Sequence, residues 1–507
     1  MSGWRIDGFE SEPPEGLAQR IWDRDPGVWG PGDDDPADRL GWLDLPDTIR
    51  GELAPVEAFV RDTGSYMDKV VLLGMGGSSL APEVFATCFG TAPGHPLLTV
   101  LDSTHPDHVG AVDDASKGTN NLYLVSSKSG GTIETMSLYG HFRAAAEDAR
   151  NFAAITDPAT SLAELAAAET FGGLFLNPPD IGGRYSALSL FGLVPAALIG
   201  VDLDALLAPA AAMADACGPK VPSDENPGLA IGHAIATLAQ EGRDKLTFLT
   251  SPALASFGDW VEQLIAESTG KGGRGIVPVV GEPTVERYGD DRAFVHLRLE
   301  DDESLDERVG ELLRSGHPVV RLDVRGPEEL GAQMFAWEFA TAVAGAILGI
   351  NAFDQPDVEA AKRASRDALE APGDVEWPDE DFESVFEGME PGDYAAFLAF
   401  APRTAEAAEV LDLARAKVNA ASGAATTAGF GPRYLHSTGQ LHKGGPGTIR
   451  AALILDPPRS DIPVPGADYG FERLLRAQAA GDLSALRAAA RRVAATTWEP
   501  FESWARS

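Results

Sequence analysis

Cysteine is nearly absent: the 507 residues hold two, Cys88 and Cys217. Two thiols are no disulfide framework, so a reducing compartment is the simpler setting. A chain this long buries well over half of its unfolded surface and needs no disulfide or metal staple. Positive charge is scarce as well. Forty basic residues face 77 acidic ones, a net charge of −37 at pH 7. That excludes a general nucleic-acid binder and a binder of anionic membranes, since both need positive patches. It leaves room for a local basic pocket around a small anion. Long apolar runs are missing too. The most apolar stretch, 188–201, contains Pro195 and two glycines and falls short of the about 20 residues that span a bilayer. The N-terminus, MSGWRIDGFESEPPEG, has no apolar stretch of the signal-peptide kind. The expectation is a cytoplasmic protein that meets neither membrane nor nucleic acid. An apolar fraction of 44% is ordinary for a globular chain, so the surplus of carboxylates belongs to a solvated surface rather than to disorder.

What is present is α/β grammar, and the length favours two to four domains. Residues 1–46, rich in Trp, Asp, Gly and Pro, are expected to form an N-terminal arm. Lys69-Val70-Val71-Leu72-Leu73 is a short apolar run that ends in Gly74-Met75-Gly76-Gly77-Ser78-Ser79. Pro82 and Glu83 then suit the first turn of a helix. Further strands are expected at 97–101, 122–125, 153–155 and 173–176. A Pro-containing, charged linker at 217–226 leads to a second series at 245–249, 276–280, 293–297, 318–322 and 395–400. The acidic span 373–392 is expected to be an exposed connector. Continuous apolar strands alternating with helices predict parallel sheets covered on both faces. The expected division is an arm over 1–46, one doubly wound α/β domain over 47–216, a second over 217–455 and a helical C-terminal segment over 456–507.

Ligands in such sheets bind beyond the carboxyl ends of the strands. The loop Ser126-Ser127-Lys128-Ser129-Gly130-Gly131-Thr132-Ile133-Glu134-Thr135 follows a strand and opens a helix. Its hydroxyls, its glycine backbone and the helix N-terminus suit an anion; the plainer alternative is helix capping. No Walker pattern and no G-x-G-x-x-G fingerprint occurs, so neither a nucleoside triphosphate nor a dinucleotide is implied. Ile181-Gly182-Gly183-Arg184-Tyr185-Ser186 presents an arginine from a tight turn, a candidate anion stabiliser or a surface residue. In the helical segment 260–270, Trp260, Leu264 and Glu267 fall on one stripe, with Gln263 one turn before Glu267. A carboxylate against apolar surface has a raised pKa, which suits a general base; a surface salt bridge is the alternative. Tyr434-Leu435-His436-Ser437-Thr438-Gly439-Gln440-Leu441-His442-Lys443 gathers two histidines six apart, the wrong spacing for a zinc pair on one helix face.

Together these segments resemble the phosphoglucose isomerase family, which is built from two sugar-isomerase (SIS) domains. The motifs are GMGGSS at 74–79, SSKSGGTIET at 126–135, GGRYSALSLFGLVPAAL at 182–198, QLIAESTGKGGRG at 263–275 and LHSTGQLHKGGP at 435–446. They stand in the family's order, and the wording is most similar to the isomerase half of bacterial transaldolase–isomerase fusions. The resemblance implies an aldose–ketose isomerase of glycolysis and gluconeogenesis, interconverting glucose 6-phosphate and fructose 6-phosphate without metal or cofactor. It implies Glu267 as the proton-carrying base, His436 in ring opening and Arg184 beside the enediolate. It also implies Ser127, Lys128, Ser129 and Thr132 around the phosphate, Gly77 and Ser78 in the glycine-loop contacts, and Gln263 as the site glutamine. A homodimer is the implied assembly, and in some members the partner chain supplies the histidine. Two departures stand out. Gly130 and Gly131 replace bulkier residues, which leaves a dual phosphoglucose/phosphomannose isomerase as an alternative. The family's late-helix lysine has no counterpart after Lys443, leaving Arg473, Arg476 or a different helix to be decided. A catalytically silent sugar-phosphate-binding regulator is the alternative of another class, against which Glu267 counts.

Overall fold

The computed structural model describes residues 3–32, 35–63, 66–285 and 287–507. Its strands in chain order are β1 (Trp4–Asp7), β2 (Lys69–Gly74), β3 (Leu97–Leu101), β4 (Asn121–Ser126), β5 (Phe152–Thr156), β6 (Gly173–Leu176), β7 (Lys245–Thr250), β8 (Val277–Val279), β9 (Arg292–Leu299), β10 (Val319–Val324), β11 (Tyr394–Phe400), β12 (Ala425–Phe430), β13 (Ile449–Leu455) and β14 (Arg492–Thr497). They form three sheets, with orders β3-β2-β4-β5-β6, β1-β10-β9-β7-β8 and β12-β11-β13-β14. Every pairing is parallel except that of β1 with β10. The expected α/β class with parallel sheets is what the chain adopts. Central strands show why: β2 reads KVVLLG and is buried on both faces from Val70 to Leu73, as a parallel sheet covered by helices requires.

The connectivity differs from the expected division in three places. Residues 217–455 do not feed one second sheet, because β11 pairs with β12 and β13 in a third sheet. The C-terminal segment is not purely helical: it adds β14 beside β13. The arm contributes β1 to the second sheet. The cause is shared. A strand's apolar pattern says that it will be buried but not which strand it will pair with. Arg-Val-Ala-Ala-Thr-Thr in β14 also lacks the continuous apolar run by which the other strands were read.

Helices cement the first two sheets. Leu330–Leu348 is buried almost all round and packs against Pro227–Gln240, Leu203–Ala216 and Phe257–Thr269. Its Phe335 lies 5.8 Å from the ring of Trp42, which stacks on Tyr185 at 5.2 Å. Trp42 is fully buried, and truncating such a side chain costs about 3–5 kcal/mol. The arm is thereby anchored directly behind the turn that carries Arg184.

Candidate active site

A cavity of about 780 Å³ opens where the loops leaving β2 and β4 face the helix Phe257–Thr269 and the turn after β12. The helix Phe257–Thr269 buries Trp260, Leu264 and Glu267 together, as their spacing predicts. Glu267 is 6% exposed. Burial raises its carboxyl above the ordinary range, while the charges of Arg184, His436 and Lys271 pull the other way. Arg184 Nη1 lies 3.5 Å from Glu267 Oε2, and its Nη2 donates to the Asp354 carbonyl at 2.9 Å. The guanidinium is thus fixed from behind and aimed at the carboxylate. Gln263 Nε2 donates to Glu267 Oε2 at 3.3 Å and to the His436 carbonyl at 2.7 Å.

His436 Nε2 stands 2.9 Å from Glu134 Oε1. A carboxylate accepts, so the ring proton is on Nε2. Burial alone would raise the Glu134 carboxyl, but the His436 charge and hydrogen bond outweigh it and hold it below its ordinary value. Gln478 Nε2 donates to the same oxygen at 2.7 Å. The other histidine of the segment has a different character. His442 Nδ1 sits 3.0 Å from the Tyr394 hydroxyl, and burial, with the charges of Lys443 and Arg491, pushes it down to about 3. It is a neutral core residue.

At the other end of the cavity, Gly77, Ser78, Lys128, Ser129, Gly131 and Thr132 line the wall. Thr132 stands at the N-cap of the helix Ile133–Ala145 but makes no side-chain capping bond. Its hydroxyl meets Ser127 Oγ at 3.0 Å instead. The plain capping alternative therefore does not describe this residue. Lys128 is paired with Asp157, so its charge is partly spent inside the loop. Ser127 differs from its expected placement. It is not among the described residues lining the cavity, because its N–H is tied to the Ile155 carbonyl at 3.0 Å and its hydroxyl to Thr132.

The question of the late-helix lysine has a geometric answer. Arg473 donates to carbonyls at the end of the helix Pro356–Glu370, including Leu369 at 3.0 Å, and Arg476 pairs with Glu472 at 2.9 Å. Among the described residues, neither lines the cavity, whereas Lys362, on that helix, and Lys443 do. Lys443 is buried and paired with Asp482 at 2.6 Å. Glu134, Lys362, Gln478 and Asp482 were not singled out from the sequence. Glu134 was legible within SGGTIET as an acid in a first helical turn. Lys362 follows a proline helix start at Gln355-Pro356, a signal that was present but unused. Gln478 and Asp482 carry no local signal.

Residues 53–276 match the family model for phosphoglucose isomerase. A glucose-6-phosphate isomerase of Rubrobacter xylanophilus is 31% identical over 394 residues, 66% of this chain and 90% of that protein. The chain belongs to the phosphoglucose isomerase family. Another relative, a glucose-6-phosphate isomerase of Symbiobacterium thermophilum, is 31% identical over 404 residues, 68% of this chain and 89% of that protein. Among solved structures, a hypothetical protein of Thermus thermophilus superimposes with a TM-score of 0.60 at 26% identity, covering 73% of this chain and 100% of the other. The family model covers the region that builds the first sheet and the Glu267 helix, and the two relatives extend the likeness over about two thirds of the chain. Among the described residues, no helix is long and apolar enough to cross a membrane.

Proposed function

We propose that this chain interconverts glucose 6-phosphate and fructose 6-phosphate by proton transfer through a cis-enediolate, as a cytoplasmic homodimer. The observation that carries the reading is the buried Glu267 carboxylate 3.5 Å from the Arg184 guanidinium, in one cavity with the Ser129–Thr132 loop. The sugar enters ring-closed. His436, with Nε2 committed to Glu134, has Nδ1 available to move a proton during ring opening, and the paired carboxylate stabilises the imidazolium. Lys362 lines the same cavity, and its charge acts on Glu134, which places a cation for substrate contact near the Glu134–His436 pair. Glu267 takes the proton from carbon 2 and returns it to carbon 1. Negative charge then grows on the two oxygens of the enediolate, where a preorganised guanidinium contributes most because it need not reorient. Ser129, Thr132 and the backbone of Gly77 and Ser78 hold the phosphate and set the register of the sugar. The chemistry is proton transfer alone and calls for no redox cofactor.

The test is a coupled assay with glucose 6-phosphate and with mannose 6-phosphate on the wild type and on Glu267→Gln. Turnover of glucose 6-phosphate by the wild type and a loss of at least 10³-fold in the variant are expected. No turnover of either sugar by the wild type refutes the enzyme reading, and equal activity of the two proteins refutes the base. Turnover of both sugars would extend the specificity to the dual isomerase.

A further inference from the structure

The turn Arg433–His436 carries one group for chemistry and, three residues earlier, one that is not among the described residues lining the cavity. Arg433 is 8% exposed. Its Nη1 donates to Asp102 Oδ2 at 2.5 Å, and its Nη2 donates to Glu83 Oε2 at 2.5 Å and to Asp259 Oδ2 at 3.2 Å. These carboxylates belong to three elements that build the site. Glu83 is in the first turn of the helix Leu80–Phe89, which continues directly from the glycine turn at Gly76–Ser78. Asp102 follows β3 at the carboxyl edge of the first sheet, with Ser79 Oγ 3.4 Å from its Oδ2. Asp259 opens the helix that carries Gln263 and Glu267. Arg403 adds a second cation to Glu83 at 2.7 Å. At the far end of the same turn, the His436 carbonyl accepts from Gln263. It also lies so close to Gly76 that an added Cβ there would stand 2.7 Å from it.

From this geometry we infer that Arg433 is a positioning residue for His436: one guanidinium, bridging the glycine-turn helix, the end of β3 and the base helix, fixes where the third sheet presents the histidine to Glu134. The arrangement suits arginine in particular. Its planar fork serves several carboxylates at once from fixed directions, whereas a lysine ammonium is a point charge on a flexible stem. The acids report the same interaction. Burial alone would raise the Glu83 carboxyl, but Arg433 and Arg403 outweigh it and hold it down to about 2. The inference rests on the isomerase reading and adds to it a residue that acts only through His436.

The test is a double-mutant cycle of Arg433→Lys and His436→Asn in the full chain, assayed with glucose 6-phosphate. Arg433→Lys keeps the charge and the fold, which thermal unfolding verifies, but loses the fork. It is expected to lower kcat by about 10- to 100-fold, the scale of a misplaced catalytic group, with KM changed by less than about twofold, because the hydrogen bonds of Arg433 go to Asp102, Glu83 and Asp259 and not to Ser129 or Thr132. On the His436→Asn background the same change is expected to have no further effect on kcat, since coupled residues fail to add. Equal losses on both backgrounds, or a change in KM alone, would overturn the inference. If His436→Asn itself leaves kcat intact, the histidine assignment falls and the inference with it. A wild type without turnover is a separate outcome that removes the isomerase reading first.

Discussion

Glu267 shows how much one side chain depends on its neighbours. Burial raises its carboxyl, and the cations of Arg184, His436 and Lys271 restrain that rise. A general base must be ionised to act, so kcat/KM is expected to fall as pH drops through a value above the ordinary carboxylate range. Lys271 is itself buried, paired with Asp354 at 3.0 Å and pushed down to about 7 by burial and by the like charge of Arg184. It is therefore charged across the acidic limb. Removing it in Lys271→Met removes a cation that favours the ionised base, so the acidic limb should move to higher pH. The same change removes the lysine partner of the buried Asp354 carboxylate, so thermal stability should fall as well. A pH profile and a thermal melt check both effects; an unmoved limb would separate Lys271 from the base. The helical stripe made the burial of Glu267 legible in advance. Lys271 stands four residues further along the same motif, but Arg184 and His436 come from distant segments, so their effect had no local signature.

At the scale of elements, two turns meet with no side chain between them. A methyl placed on Gly77 would overlap the carbonyl of Gly183, and Gly183 begins the turn that holds Arg184. Gly77→Ala must push the two turns apart. Because the obstacle is backbone, nothing flexible can yield, and kcat/KM should fall at least 10-fold with a measurable loss of thermal stability. An unaffected variant would show that the approach is not needed. The phosphate loop gives the complementary case. If these hydroxyls hold the phosphate as proposed, equally in ground and transition states, Ser129→Ala with Thr132→Ala should raise KM several-fold while kcat stays within about twofold. An unchanged KM in steady-state assays removes them from the phosphate site. Both loops were legible from sequence as candidate anion sites, with helix capping as the alternative, because glycine and hydroxyl residues stand between an apolar run and a helix start. Ser127 belongs to the same run of letters, yet its hydroxyl turns to Thr132, and no spacing rule distinguishes it from Ser129.

At the scale of the whole molecule, the first sheet presents the phosphate loop and Arg184, the helix beside the second carries Glu267, and the third presents His436. All four groups come from one chain. Dilution through any dimer dissociation should therefore leave the activity per chain unchanged, as followed by assays run alongside sedimentation. Activity lost in step with dissociation would mean that a partner completes the site.

The amino-acid order alone determined what depends on neighbours within a few residues. Parallel-strand runs, glycine turns at strand ends and the buried stripe bearing Glu267 are all set by local sterics and burial, and they were enough to identify the family's motifs. Tertiary structure decided what depends on pairing across hundreds of residues. It set the third sheet, the capture of β1 and β14, the different surroundings of His436 and His442, and the arrival of Lys362 and Gln478 at the cavity. Hydrogen bonds between strands and charges meeting across a cavity are properties of distance in space, and distance along the chain does not encode them.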